Sequence, residues 1–164
     1  MKKIICLLFI VMTTLLYACE REEEVIPPVT TAAPTVSVAA IQTVTTYSID
    51  VDSLAIVPVQ NPVSKEGELT AERVVKLVTA NLNDKEIIID EIIQRKDTVI
   101  LSFDKKGKPV KGCTAEMENL ILECYANSLL DNAENCRKVI IRASGKKYVS
   151  ENLAFGYNEV FASE

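Results

Sequence analysis

Histidine is absent from all 164 residues. That removes the usual general base, the Ser-His and Cys-His nucleophile pairs and the commonest metal ligand together. Positive charge is also short. The formal net charge is −5, and once Lys2 and Lys3 are set aside the remainder stands at −7, with 16 basic against 23 acidic side chains. Such a balance lacks the basic footprint that neutralises phosphates, so no nucleic-acid partner is expected. Five cysteines are present but no Cys-x-x-Cys, which leaves neither a thioredoxin-type site nor a structural zinc site supported. No cofactor or metal is expected. The apolar run Ile4 to Ala18 is 15 residues long, short of the roughly 20 that a membrane-spanning helix needs. Val25 to Thr46 contains no charged residue at all.

What is present begins with an export signal. Met1-Lys2-Lys3 is a positive n-region, and a run of the length just given suits a signal h-region of roughly 7 to 15 residues. It ends in Leu16-Tyr17-Ala18-Cys19. This tetrad resembles the bacterial lipobox, in which an aliphatic residue stands three places before, and a small one directly before, a cysteine that becomes lipidated. Tyr17 is bulkier than that pattern usually carries. Residues 1–18 are therefore read as a lipoprotein signal peptide and Cys19 as the lipidation site. Acyl chains on Cys19 would hold the chain on a membrane, each buried methylene contributing about 0.8 kcal/mol. The acidic cluster Glu20-Arg21-Glu22-Glu23-Glu24 resembles the signal that sends some lipoproteins to the cell surface, and reads equally as a solvated charge run. With the Pro, Thr, Ala, Val and Ser stretch after it, including Pro27, Pro28 and Pro34, residues 19–46 read as a disordered or extended tether.

Residues 47–164 read as one small α+β domain. Tyr47 to Val59 predicts a first strand with an Asp-Ser reversal, and Pro58 confines its end to an edge or a bulge because proline donates no hydrogen bond to a ladder. Pro62 and Gly67 mark a loop. Thr70 predicts a cap for a helix over Ala71 to Leu82, with Val74, Val75, Leu77, Val78 and Leu82 near a 3.6 period. Ile87 to Gln94 and Thr98 to Phe103 predict a hairpin, turning at Arg95-Lys96-Asp97. A second helix over Thr114 to Leu130 carries Met117, Leu120, Ile121, Cys124 and Ser128 on one stripe, extended by Tyr125 and Leu129. Val139 to Ala143 predicts a last strand. The expected architecture is a βαββαβ-like small sheet with two helices packed on one face. Cys113 and Cys136 bracket the second helix, roughly 25 Å apart at 1.5 Å per residue, so a Cys124 to Cys136 disulfide is the intramolecular pairing left open.

Several local strings resemble the GerMN domain, the sporulation and spore germination module of bacterial lipoproteins. They are Ile56-Val57-Pro58-Val59 at the end of a strand, Leu101-Ser102-Phe103 closing the hairpin, Ala126-Asn127-Ser128-Leu129 in the second helix, and Ser144-Gly145-Lys146 at a turn. Asn61 departs from the Arg that family often has, the hairpin turn lacks its Gly, and the chain after Tyr148 matches poorly. The resemblance implies a fold of the kind used in ring-building modules, no enzymatic activity, and protein or cell-wall contacts outside the cytoplasmic membrane.

Two further readings stand beside it: a surface lipoprotein that binds a ligand, and an envelope hydrolase using carboxylates or a Ser-Lys pair, with Asp90, Glu91 and Ser102 as candidates. For partner contact the loop 104–112 stands out. Lys105, Lys106, Lys108 and Lys111 precede the amino terminus of the second helix, where free amides and the helix dipole favour an anion such as a partner's carboxylate. The bland reading is a solvated, flexible loop.

Overall fold

A computed structural model describes residues 40–164. The signal peptide, Cys19 and most of the tether lie outside the described residues. Elements run β1 (Ile41–Asp50), β2 (Ala55–Ser64), α1 (Ala71–Leu82), β3 (Ile89–Arg95), β4 (Thr98–Phe103), α2 (Ala115–Asn132), β5 (Lys138–Ala143), β6 (Lys146–Lys147) and β7 (Ala162–Ser163). The fold is α+β, as the sequence predicts. Its first strand, however, is a full hairpin. Strand β1 starts at Ile41 rather than Tyr47, and Pro62 lies inside β2 opposite Thr43 instead of in a loop.

The reason is period-two patterning hidden under a charge-free, Pro- and Thr-rich composition. Val44, Thr46 and Ser48 turn inward on β1, and Asn61 and Val63 do so on β2. The intervening Pro58, Gln60 and Pro62 face outward. The prolines also sit where their missing N–H matters least. Tyr47 pairs with Pro58 and donates its own N–H away from β2, to Ser128 Oγ at 2.9 Å. Directly opposed residues in an antiparallel ladder share that orientation, so Pro58, and Pro62 four residues on, turn their nitrogens to the outer edge of a two-stranded sheet.

The second sheet has the order β3-β4-β5-β6, with β7 pairing at the other end of β5. Strands β3 and β4 are antiparallel, β4 and β5 parallel, and α2 supplies the crossover that parallel pairing requires. Val99, Leu101 and Phe103 on β4 and Val139 and Ile141 on β5 share the face that meets the helices, all fully or almost fully buried. The register slips at Asp90, so that Ile89 opposes Phe103 and Ile92 opposes Leu101. This bulge places two isoleucines three residues apart on the same core face, which an unbroken strand forbids.

Helix α2 is wrapped more widely than the predicted stripe. Leu122 and Ala126 are as buried as Cys124 and Tyr125, while Met117 and Leu120 are only half-buried. The helix is not confined to one face of one sheet: it touches β5 on one side and the hairpin on the other. Ser128 and Asn132, one turn apart, bond to the open edge of β1, Ser128 receiving the Tyr47 N–H and Asn132 Nδ2 donating to Thr45 O at 2.8 Å. The helix thus stands in for a missing strand. Beyond β5, Tyr148 is fully buried, and Phe155 packs against Tyr148 at a tilt and against Phe161 edge-on. This order lies where the sequence pattern is weakest.

Candidate functional site

The loop 104–112 is built, not loose. The Asp104 N–H donates to Ile88 O and the Lys108 N–H to Glu86 O, both at 2.9 Å, stitching the loop to the segment before β3. Gly107 makes this possible, because a Cβ there would lie 2.5 Å from Glu86 O. The Lys108–Pro109 peptide is cis, and Pro109 and Val110 are buried.

The four predicted lysines consequently divide. Lys108 Nζ lies 2.9 Å from Glu86 Oε2 and 3.0 Å from Asp84 Oδ2. Those two carboxylates hold Lys108 strongly in its charged form, Glu86 first. The Glu86 backbone N–H, then Lys108, holds the Asp84 carboxyl below the ordinary aspartate range. Lys108 is therefore a structural cation. Lys105, Lys106 and Lys111 remain exposed. Lys106 and Lys111, joined by Lys85, line a shallow recess of about 430 Å³ floored by Ile88, Gly107 and Gly112. Lys105 stands outside it, its N–H donating to Ser144 Oγ at 3.2 Å.

The start of α2 is not the open anion seat the sequence suggests. Thr114 caps it through the Met117 N–H. One residue further, Glu118 is fully buried, accepting from Tyr148 Oη at 2.7 Å and Asn152 Nδ2 at 2.8 Å. Its carboxylate already occupies the position that the helix dipole favours for a negative charge. Burial, then Glu118, pushes the Tyr148 hydroxyl far above its ordinary pKa. Glu118 is not singled out by sequence reasoning. Its partners lie 30 and 34 residues away, so no local signal marked it.

The hydrolase candidates do not assemble. Ser102 is almost fully buried and its Oγ accepts the Gly145 N–H at 2.9 Å. Asp90 and Glu91 are exposed on β3, beside an open groove of about 560 Å³ against α1. Among the described residues no side-chain hydrogen bond joins Asp90, Glu91 and Ser102 to one another, although Glu91 and Ser102 are ladder partners, and no group of three Cys, Asp or Glu is placed to hold a metal ion. Cys113, Cys124 and Cys136 are free thiols, so the Cys124 to Cys136 disulfide left open above is not formed. Cys124 lies in the core, where burial pushes its thiol up to about 12. No described helix is long and apolar enough to cross a membrane.

These features define an α+β domain with two helices between a hairpin and a mixed sheet. Among solved structures it is similar to the tandem GerMN domains of the sporulation protein GerM from Bacillus subtilis, at 14% identity and a TM-score of 0.42, over 80% of this chain and 50% of that one. This chain thus spans about half the length of that structure. No protein-family model matches the sequence. No curated protein matches it.

Proposed function

We propose that the chain is a GerMN-like, non-catalytic interaction module, held on the extracytoplasmic face of the membrane by a lipidated Cys19 and associated with sporulation or germination. One observation carries the reading: the hairpin-closing, second-helix and turn strings that resemble the family fall in the elements expected of them, while the first lies near the start of a strand rather than at its end. Ile56 to Val59 lie in β2, Leu101 to Phe103 close β4, Ala126 to Leu129 lie in α2, and Ser144 to Lys146 turn the chain after β5.

Within this reading, Lys105, Lys106 and Lys111 contact an acidic protein surface or wall polymer, and Lys108 fixes the loop. Crosslinking pull-down from envelope fractions with the three exposed lysines reversed to Glu tests it. Loss of the captured partner, with the folding transition unchanged, is expected. Undiminished capture removes the loop from the account.

A further inference from the structure

We infer that the free edge of β3 is the seam of a homodimer, in which two copies pair their β3 strands antiparallel about a two-fold axis at Ile93. Among the described residues β3 ends its sheet, with β4 on one side and no strand on the other. Its sequence from Glu91 to Arg95 is self-complementary about the centre. Antiparallel pairing at Ile93 puts Glu91 of each copy opposite Arg95 of the other, forming two opposite-charge pairs, with Ile93 facing its own counterpart. Among the described residues the ion pairs involve neither Glu91 nor Arg95, and both are exposed.

The rest of the sheet extends the match. Ile92 opposes Leu101 on the core face, so Glu91, Ile93 and Arg95 lie on the opposite face. There Ile93 pairs with Ile100, and Ile100 with Ile140, giving one row across three strands. The two-fold joins this row to its copy without a break, adding apolar contact beside half-buried Ile93. On the helix side, the groove lined by Val75, Thr79 and Ile92 leaves about 560 Å³ beside the same edge for the incoming strand's side chains.

Register is selected, not merely allowed. A one-residue slip turns every side chain to the wrong face, and a two-residue slip sets Glu91 or Arg95 against an isoleucine. The Asp90 bulge breaks the ladder just before Glu91 and limits how far pairing can extend. An unrelated extended peptide would gain the backbone bonds but not both charge pairs, so a second copy is the occupant that fits.

The full chain in detergent provides the test, with the dimer dissociation constant read by sedimentation. E91R or R95E alone sets like charges across the axis, and either is expected to weaken the dimer about tenfold. The E91R/R95E double variant restores opposite pairs and is expected to return to within about threefold of the parent. An I93C variant is expected to form an intermolecular disulfide rapidly, since directly opposed strand residues lie within disulfide reach. Q94C, which faces the partner's Ile92, is expected to crosslink slowly. A monomeric parent chain, single reversals without effect, a double variant no tighter than the singles, or Q94C linking as fast as I93C would each overturn the inference. Lipid or micelle association shifts all variants alike, so the differences among them report the strand seam.

Discussion

Among single residues, Glu118 and Lys108 show best how polar groups are held here. Glu118 is a fully buried carboxylate bonded to Tyr148 and Asn152. Y148F removes the Tyr148 Oη donor from buried Glu118 and should cost about 1 to 3 kcal/mol in denaturant unfolding. Lys108 lowers the Asp84 pKa only after the Glu86 N–H does. A lowered folded-state pKa gives stability present above the ordinary aspartate range and lost as pH falls through the folded value. K108M should therefore shrink, without abolishing, the loss of stability on acidification; an unchanged acid limb would contradict the ion pairs. On the alkaline side the sign reverses. Burial lifts Cys124 from 9.0, and Tyr125 from 10.0, both to about 12. Their contribution is full below the unfolded-state values and fades as pH rises toward the folded ones. C124A should flatten the fall in stability between about pH 9 and 12. Native-state alkylation should label half-exposed Cys113 ahead of the other two described thiols, because Cys124 and Cys136 are buried.

At the scale of elements, the hairpin is held to the helices by polar side chains rather than by grease alone. Asn81 Nδ2 reaches Thr46 Oγ1 at 2.8 Å and Asn61 Oδ1 at 3.1 Å, while Asn61 Nδ2 donates to Thr46 Oγ1 at 2.9 Å. N61A leaves buried partners unpaired and should cost on the order of 2 kcal/mol, measured by denaturant melts. An Asn61→Arg change, toward the residue the GerMN family often has, should cost at least as much, because the site is closed around a short amide. The helices α1 and α2 and the strands β4 and β5 were legible in the sequence, since each carries a cap or an unbroken apolar pattern. The hairpin was only half legible. Its inward Thr46 falls in the predicted tether and Asn61 beyond the predicted strand, and their places become clear only when Asn81, Ser128 and Asn132 arrive to satisfy their surroundings. The site was legible as residue types only: four lysines were visible, but the two acids that claim Lys108 lie more than twenty positions earlier. The Asp90 bulge was hidden because it depends on which residues of β4 stand opposite.

For the whole molecule, the proposed function asks the described body to present surfaces to a partner. The described body carries its free charges on open faces, at the basic recess near Lys106 and Lys111 and along the edge of β3. In the function proposed above, a lipidated Cys19 would hold such a module where its partners are. The most direct test is mass spectrometry of the mature amino-terminal peptide from membranes of the expressing bacterium, with C19A as control. The account predicts a peptide that begins at Cys19 and carries acyl chains, and a C19A chain without acyl mass. A wild-type chain that retains Met1, or begins at any residue without acyl mass, would contradict it.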